Sequence, residues 1–194
     1  ALALTGATQI RVGERWLDLC AGPGGKTAVL AAQALRSGAT LDANEVAPAR
    51  AGLVRKAIAG VPLSVPVSVE DGRERSARMP GVYDRVLVDA PCTGLGALRR
   101  RPEARWRKQP SDIPELAELQ YDLFLAGFES LAPGGVLAYV TCSPHLSETT
   151  AVVAEARRAL GDAIEPIDAA AVVTKVSPAQ IDLAGDPEDG HAQL

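Results

Sequence analysis

The chain has 194 residues, of which 47% are hydrophobic and 23% are charged, and its net charge is −4. This length is enough for one α/β domain with a buried core. The net negative charge argues against nucleic-acid binding over the whole surface of the protein. No apolar run approaches the roughly 20 residues that cross a membrane, and no secretory signal opens the chain. Three cysteines without C-x-x-C spacing favour neither a disulfide framework nor a metal site. We therefore expect a cytoplasmic protein that binds no membrane and no metal.

Apolar runs alternate with helical patterns along the chain, which predicts βαβ units and a mostly parallel sheet flanked by helices. The predicted strands are Trp16–Leu19, Thr40–Asn44, Ser64–Val69, Arg85–Asp89 and Val136–Thr141. The predicted helices are Lys26–Leu35, Pro48–Ala59, Ile113–Leu131 and Ser147–Leu160. Pro133-Gly134-Gly135 is expected to end the third of these helices. A further short strand is predicted at Ile164–Ile167, and residues 177–194 are expected to be a loop or frayed tail.

A glycine-rich loop separates the first predicted strand from the first predicted helix, in the segment Cys20-Ala21-Gly22-Pro23-Gly24-Gly25-Lys26. In a parallel α/β sheet such a loop lies at the carboxyl end of a strand, where ligands bind. Glycines permit positive φ and let the backbone approach a ligand closely. The free N–H groups at the start of the helix favour an anionic or polar ligand group. The pattern therefore indicates a cofactor site.

Two classes of cofactor fit this loop. Gly25-Lys26-Thr27 resembles the end of a nucleotide-triphosphate P-loop, but that motif needs a glycine where this chain has Cys20. A nucleoside cofactor instead needs an acid about 20 residues further on to hold ribose hydroxyls, and Glu45 stands there. The strict G-x-G-x-x-G of NAD sites is absent. The loop and the acid together favour S-adenosylmethionine.

Polar or reactive residues follow every predicted strand of the sheet. After the glycine loop come Glu45, then Asp71, then Asp89 with Cys92, and then Cys142. Because the carboxyl ends of parallel strands share one edge of a sheet, we expect these groups to meet there. An isolated cysteine is more often a small buried hydrophobe, and Cys20 fits that description.

Two cysteines at adjacent strand ends are suited to the methylation of cytosine. C5 of cytosine is too weak a nucleophile to take a methyl group unaided, but addition of a thiolate at C6 activates it. Asp89 is placed near Cys92 to stabilise the adduct from the Watson–Crick edge of the ring. Spacing alone does not say whether Cys92 or Cys142 attacks.

The segment after Cys92 is strongly basic although the chain is acidic. Six basic residues and one acid surround Trp106 between Arg99 and Lys108. Arginine and lysine bind phosphates, and an exposed aromatic ring can stack on a base. A solvated loop with Trp106 packed into the domain is the alternative. The position directly after Asp89 and Cys92 favours RNA.

Four motifs follow one another between Trp16 and Glu148. They are Cys20-Ala21-Gly22-Pro23-Gly24-Gly25-Lys26-Thr27, Asp89-Ala90-Pro91-Cys92-Thr93-Gly94, Arg100-Arg101-Pro102-Glu103-Ala104-Arg105-Trp106 and Tyr139-Val140-Thr141-Cys142-Ser143. Together they resemble the motifs of the Sun/Fmu-type RNA cytosine-5 methyltransferases, and the bacterial small-subunit ribosomal RNA enzymes most of all. The resemblance implies a Rossmann-like fold that binds S-adenosylmethionine.

The resemblance also implies roles for individual residues. Cys142 would be the nucleophile, Cys92 would assist release of the methylated product, and Asp89 would support both chemistry and cofactor. The cofactor would be held by Cys20, Ala21, Gly22, Pro23, Gly24, Gly25, Lys26, Glu45, Arg50, Asp71 and Asp89. Independently of the resemblance, the charge of the basic segment predicts that RNA is held by Arg99, Arg100, Arg101, Arg105, Trp106, Arg107 and Lys108.

Members of that family usually carry an RNA-binding region before the catalytic domain and a final β-hairpin region after it. We expect residues 1–194 to be a single catalytic domain without the first of these and with the C-terminal strand region incomplete. The predicted product is 5-methylcytosine in 16S ribosomal RNA, made by a monomer, with transfer RNA as the alternative substrate. A P-loop-like ATPase and a non-catalytic RNA-binding module are the other classes that the sequence leaves open.

Overall fold

Apolar segments of the chain form the five strands of one sheet in a computed structural model, which describes residues 1–100, 102, 106, 109–177 and 183. The strands are β1 (Arg15–Asp18), β2 (Thr40–Asn44), β3 (Val67–Ser68), β4 (Tyr83–Asp89) and β5 (Leu131–Val140). Their spatial order is β3-β2-β1-β4-β5, and every neighbouring pair is parallel. The predicted parallel sheet is confirmed.

Helices flank this sheet. They are α1 (Leu2–Gly6), α2 (Gly25–Ser37), α3 (Pro48–Ile58), α4 (Gly72–Ala77), α5 (Ile113–Glu129), α6 (Thr150–Leu160) and α7 (Ala169–Val176). Short 3-10 turns lie at Leu95–Ala97, Pro110–Asp112, Leu146–Glu148 and Gly161–Ala163. This alternation of strands and helices is a Rossmann-like arrangement.

Both faces of the sheet are buried, and successive strand residues alternate between them. Trp16 and Leu87 pack on one face with Leu30 of α2. Leu17 and the two neighbours of Leu87 in β4 pack on the other face with Leu123 of α5. The strands therefore read as continuous apolar runs in the sequence, although each face takes every second residue.

A buried ion pair joins β4 to the segment before β1. Arg85 and Glu14 are 1% and 4% exposed, and Arg85 Nε lies 2.7 Å from Glu14 Oε2. The same guanidinium donates to the carbonyl oxygens of Leu4 at 2.9 Å and Gln9 at 3.1 Å. Burial raises the pKa of Glu14, but hydrogen bonds from Arg85, the Arg11 backbone and Trp16 outweigh it and leave that pKa below its ordinary value. One arginine thus fixes α1 onto the sheet.

The start of β5 contains an irregular stretch that the sequence analysis placed outside the strand. Tyr83 pairs with Leu131 and Arg85 pairs with Val136, so β5 has three more residues than β4 between these two pairs. Gly134 has φ +76, a conformation that favours glycine. Pro133-Gly134-Gly135 therefore forms a bulge within β5, and α5 ends earlier than predicted, at Glu129.

Other boundaries also differ from the prediction. β3 has two residues instead of the six of Ser64–Val69, and the strand predicted at Ile164–Ile167 is wrong because these residues have no regular structure. α6 begins at Thr150, after a 3-10 turn that includes Ser147. Helices α1, α4 and α7 were not predicted. Most of the predicted tail lies outside the described residues.

Candidate active site

The carboxyl ends of β1 and β4 form the centre of the candidate site. These strands are neighbours in space although two strands separate them in sequence, and parallel sheets bind ligands at such a point. The loop after β1 carries Lys26, whose Nζ lies 2.6 Å from Oδ2 of Asp89 at the end of β4. Both side chains are still partly exposed, at 43% and 25%. An ion pair that solvent can reach therefore bridges the two strand ends.

Asp18, at the end of β1, is a buried acid that the sequence analysis did not select. It is 0% exposed, and its Oδ2 accepts a hydrogen bond from Thr27 Oγ1 at 2.7 Å. Its Oδ1 has no hydrogen-bond partner. Burial raises the pKa of Asp18 to about 7. The one available sequence signal was an acid that ends an otherwise apolar strand.

Gly24 is required by packing between helices as well as by backbone geometry. Its φ is +108, as predicted for a loop glycine. A Cβ added there would lie 2.8 Å from both Ala57 Cβ and Val54 Cα of α3. A Cβ added at Gly25 would meet nothing within 4 Å. The close approach at Gly24 is therefore to α3, whereas the open face of the loop is at Gly25.

Glu45 connects the glycine loop to the end of β2. It is 3% exposed, and it accepts hydrogen bonds from the backbone N–H groups of Gly22 at 3.0 Å and Ala47 at 2.9 Å. Arg50 donates to the carbonyl oxygen of Gly22 at 2.7 Å. Each carboxylate oxygen has two lone pairs, so Glu45 can accept further donors such as hydroxyl groups. The structure brings these three predicted residues together.

The two cysteines that lie in the loops after β4 and β5 are in contact. Cys92 Sγ is 3.3 Å from Cys142 Sγ. Burial, the hydrogen bond with Cys92 and the nearby negative charges raise the pKa of Cys142 to about 11. Cys142 is therefore a thiol at neutral pH in this state. The predicted meeting of the two cysteines is found in the structure.

Asp71 and Cys20, which were also predicted to bind the cofactor, make contacts within the protein. Asp71 accepts from the backbone N–H of Arg73 at 2.8 Å and so caps α4, and it forms an ion pair with the Arg73 side chain. That interaction, against a smaller effect of burial, lowers the pKa of Asp71. Cys20 packs against the α5 side of the sheet, and burial raises the pKa of its thiol. Cys20 is thus a partly buried hydrophobe whose backbone can still line the loop.

Glu148 is a second buried acid that the sequence analysis did not select. It is 0% exposed and ends the 3-10 turn that follows Cys142. Its carboxylate accepts hydrogen bonds from Thr93 and from Gln120 of α5. No sequence pattern singled it out, because its partners come from two distant segments of the chain.

The basic segment after Cys92 is only partly described. Arg99 and Arg100 are exposed, and Trp106 is 80% exposed, so this tryptophan is not packed into the domain as the alternative required. Leu98, Arg99, Pro102 and Trp106 line an open groove of about 370 Å³. The predicted RNA-binding residues Arg101, Arg105, Arg107 and Lys108 lie outside the described residues.

Comparison with known proteins identifies the family. Residues 7–176 match the family model described as 16S rRNA methyltransferase RsmB/F. The chain belongs to this family. It is 58% identical over 144 residues to the protein MT1451 of Mycobacterium tuberculosis, an alignment that covers 74% of this chain and 31% of that protein. It is 41% identical over 132 residues to ribosomal RNA small subunit methyltransferase B of Cronobacter sakazakii, covering 68% of this chain and 30% of the relative.

Solved structures of archaeal proteins show the same fold. NSun6 from Pyrococcus horikoshii, solved with the S-adenosylmethionine analogue SFG, matches with a TM-score of 0.69 and 28% identity, covering 81% of this chain and 41% of that one. A methyltransferase homologue from the same organism has a TM-score of 0.64 and 30% identity, covering 86% and 50%. The predicted fold and S-adenosylmethionine as the cofactor of the family are confirmed.

This chain spans less than a third of the length of the two curated relatives. Within the described residues, no helix combines the length and apolar character needed to cross a membrane. The same residues contain no group of three or more histidine, cysteine or acidic side chains arranged to hold a metal ion.

The residues of this edge fit S-adenosylmethionine. The unpaired Oδ1 of Asp18 can accept a hydrogen bond from a bound ligand or a bridging water, and Glu45 retains lone pairs for hydroxyl groups. The open face at Gly25 leaves room for a ligand against the start of α2. The neighbouring ends of β1 and β2, with the start of α2, therefore offer hydrogen-bond acceptors and space for a ligand.

Our first prediction concerns the pH dependence of stability. Asp18 binds its proton more tightly in the native state, with a pKa of about 7 against 3.8 for the ordinary side chain. Stability due to this group therefore falls as pH rises from about 4 to about 7, by roughly 4 kcal/mol. In Asp18→Asn this component is missing, so the stability of the variant relative to wild type should rise by that amount across the window. Urea denaturation at several pH values measures it, and parallel pH profiles would contradict it.

Our second prediction concerns the open face of the loop. Gly25→Ala adds a methyl group that meets no protein atom, so the apoprotein should be as stable as wild type or slightly more stable. If the cofactor lies against this face, its affinity should fall about tenfold, or ~1.4 kcal/mol. Calorimetric titration with S-adenosylmethionine measures this.

Gly52→Ala is the matched control for Gly25→Ala. Gly52 lies in α3, and a Cβ added there also meets nothing within 4 Å. This variant should keep the affinity of wild type. Equal affinity in both variants would remove Gly25 from the cofactor site.

Proposed function

We propose that the chain is the catalytic part of an S-adenosylmethionine-dependent RNA methyltransferase that makes 5-methylcytosine through a covalent adduct between Cys142 and C6 of cytosine. The observation that supports this most strongly is the 3.3 Å contact of Cys92 and Cys142 beside the Lys26–Asp89 ion pair. A cysteine that only packs in a protein core would not require a second cysteine, an acid and a lysine at the same edge of the sheet. Two thiols with an acid suit a reaction that first forms and then breaks a carbon–sulfur bond.

The proposed roles follow from the chemistry of cytosine. Cys142 gives its proton to water as its sulfur bonds to C6, and this makes C5 nucleophilic. Bound S-adenosylmethionine supplies the methyl group that C5 takes up. Water then takes the C5 proton, the bond from C6 to Cys142 breaks with its electron pair returning to the sulfur, and the aromatic ring is restored. Asp89 would bind the Watson–Crick edge of the ring, and Cys92 would assist the elimination that frees Cys142.

We assign the cofactor to the loop from Cys20 to Lys26, with Asp18, Glu45 and Arg50 beside it. Asp71 remains a proposed ligand, although Arg73 already occupies its carboxylate in this structure. The methyl donor would then lie between the glycine loop and Asp89, next to the two cysteines. This arrangement is supported by the contacts of Lys26 and Glu45 across the first two strand ends.

We propose 16S ribosomal RNA as the substrate, because the family description and the Cronobacter relative both name a small-subunit ribosomal RNA enzyme. Transfer RNA stays the alternative, and no contact in this chain distinguishes the two. Bisulfite sequencing of total RNA after treatment with the protein would identify the RNA and the cytosine. The monomeric state and the cytoplasmic location stay predictions.

The other classes that the sequence left open fit less well. The ATPase hypothesis is wrong at the level of the family, since the chain belongs to methyltransferases. A non-catalytic RNA-binding module would give no reason for two cysteine sulfurs in contact. Catalysis is therefore the function that we propose.

Our third prediction separates the roles of the two cysteines. RNA that carries 5-fluorocytosine gives an adduct that cannot lose a proton at C5 and so persists. Cys142→Ser should form no such adduct, because a serine hydroxyl is far less ionised than a thiol. Cys92→Ser should form it, and should also accumulate an adduct with ordinary RNA because elimination is slowed. Denaturing gels read both results. Adduct in Cys142→Ser together with none in Cys92→Ser would reverse the assignment.

Our fourth prediction concerns the basic segment. Replacing Arg99 and Arg100 by glutamine should weaken RNA binding and reduce the slope of log affinity against log salt by about one for each lost phosphate contact. The control replaces Arg36 and Lys56 by glutamine, in the last turns of α2 and α3. Those turns lie at the opposite edge of the sheet, so the salt slope should not change. Equal slopes in both double variants would mean that the segment is only solvated.

A further inference from the structure

Glu148 joins the two loops that carry the cysteines. Its Oε1 accepts a hydrogen bond from the backbone N–H of Thr93 at 2.8 Å, and its Oε2 accepts one from Thr93 Oγ1 at 2.5 Å. Thr93 is the residue after Cys92, and Glu148 lies six residues after Cys142. One carboxylate therefore holds both polar groups of the neighbour of Cys92 from the loop of Cys142.

Gln120 of α5 also donates a hydrogen bond to the Glu148 carboxylate. Its Nε2 donates to Glu148 Oε1 at 3.0 Å and to the carbonyl oxygen of Pro91 at 2.8 Å. Tyr139 of β5 donates from its hydroxyl to the backbone oxygen of Glu148 at 2.8 Å. Gln120 is 0% exposed, as is Glu148. The peptide before Cys92 and the turn after Cys142 are thus tied to the same buried group.

Two further contacts hold the loops close together. The hydroxyls of Thr93 and Ser143 lie 3.2 Å apart, and each residue directly follows a cysteine. The backbone N–H of Gly96 donates to the carbonyl oxygen of Cys142 at 2.8 Å, and a Cβ at Gly96 would lie 2.7 Å from that oxygen. The backbones beside the two sulfurs therefore have little freedom to separate while these bonds persist.

The carboxylate of Glu148 is ionised at neutral pH because its donors outweigh its burial. Burial raises its pKa, but hydrogen bonds from Ser143, Thr93 and Gln120 leave the pKa below its ordinary value. Hydrogen bonds to a charged acceptor are shorter and stronger than those between neutral groups. Glu148→Gln keeps the shape of the side chain but removes its charge, so the hydrogen bonds from Thr93 and Gln120 are no longer charge-assisted and the cluster should loosen.

We propose that Glu148 is a positioning residue that sets the separation of the Cys92 and Cys142 sulfurs by holding Thr93 and, through it, the loop of Cys92. Glu148 acts through other residues, without contact with substrate. Its consequence for catalysis rests on the proposed function, because only two reacting thiols need a fixed spacing. Its consequence for geometry does not, since the distance between two thiols can be tested without RNA or cofactor.

Thiol–disulfide exchange measures this distance. Oxidised glutathione and the two protein thiols give one protein disulfide and two molecules of reduced glutathione, so the electrons and protons balance. The equilibrium constant reports how readily the two sulfurs reach the bonding distance of about 2.05 Å. Mass spectrometry after alkylation gives the fraction of protein oxidised at each ratio of glutathione forms.

In Glu148→Gln we expect the equilibrium constant for the Cys92–Cys142 disulfide to fall at least tenfold, a change of about 30 mV for this two-electron couple. Thr93→Val removes one hydroxyl and keeps the backbone N–H, so it should lower the constant in the same direction by a smaller factor. This second variant keeps the test open if Glu148→Gln folds poorly. Constants within twofold of wild type in both variants would overturn the proposal.

Two controls separate positioning from general loosening. Ser130→Ala also removes a buried hydroxyl, whose hydrogen bond to Ala126 lies at the other end of β5, and it should leave the constant unchanged. Cys20 is the internal probe, because its thiol is partly buried and its raised pKa keeps it protonated, so it should react more slowly with an alkylating reagent than an unfolded cysteine does in every folded variant. If Cys20 becomes reactive together with the shift in Glu148→Gln and in Thr93→Val, the effect is unfolding and the proposal fails.

A kinetic readout joins the proposal to catalysis. With RNA carrying 5-fluorocytosine, Glu148→Gln should form the adduct at least tenfold more slowly at saturating RNA, with little change in the RNA concentration for half-maximal rate. A shifted disulfide equilibrium with no adduct in wild type would uphold the positioning role and reject the cytosine chemistry. An unshifted equilibrium with normal adduct in wild type would do the reverse.

Discussion

The register of β4 between β1 and β5 is the constraint on which the site depends. Asp89 pairs with Val140, and the backbone N–H of Ala90 continues the pairing to the oxygen of Val140 at 2.9 Å. A slip of one residue would move the loop of Cys142 by about 3.3 Å along β4 and would exchange the two faces of β5. The contact between the Cys92 and Cys142 sulfurs would then be lost. The position of the Cys92 and Cys142 thiols thus depends on the packing of the sheet, although the sheet itself does not bury these thiols.

The acids at this edge differ in charge although several are almost equally buried. Asp18 receives one hydrogen bond from a hydroxyl and leaves an oxygen unpaired, so burial dominates and its pKa rises. Glu148 receives bonds from several donors, so its pKa falls. The hydrogen bonds that each carboxyl accepts, together with its depth in the domain, therefore decide which acid is ionised. The fold can keep a proton on one carboxyl and a charge on another within a single edge.

The sequence predicted the parts of the structure that leave a local pattern. Apolar runs identified all five strands, and the common edge of a parallel sheet predicted that the groups after them would meet. The bulge at Pro133-Gly134-Gly135 was read as a helix end, because these residues favour both. The short helices α1, α4 and α7 give too few residues for a periodic signal.

In the candidate site, too, only residues that belong to a local sequence pattern were predicted. Glycines, cysteines and acids in motifs were found from the sequence, but Asp18 and Glu148 were not, because their importance comes from partners far away in the chain. Gly24 illustrates a different point, since its positive φ was expected and the structure adds a close contact with α3. A motif predicts that a glycine is needed and does not say which contact needs it.

The arginine that fixes α1 has a consequence for cooperativity. A five-residue helix is unstable alone. Hydrogen bonds from Arg85 of β4 to the carbonyl oxygens of Leu4 and Gln9 stabilise this segment. Arg85 in turn needs Glu14, because an unpaired buried charge is strongly unfavourable. Melting of residues 1–14 would remove Glu14 and the carbonyl oxygens of Leu4 and Gln9 from Arg85 together. We therefore expect fraying at this end of the chain to be coupled to β4, the strand that carries Asp89.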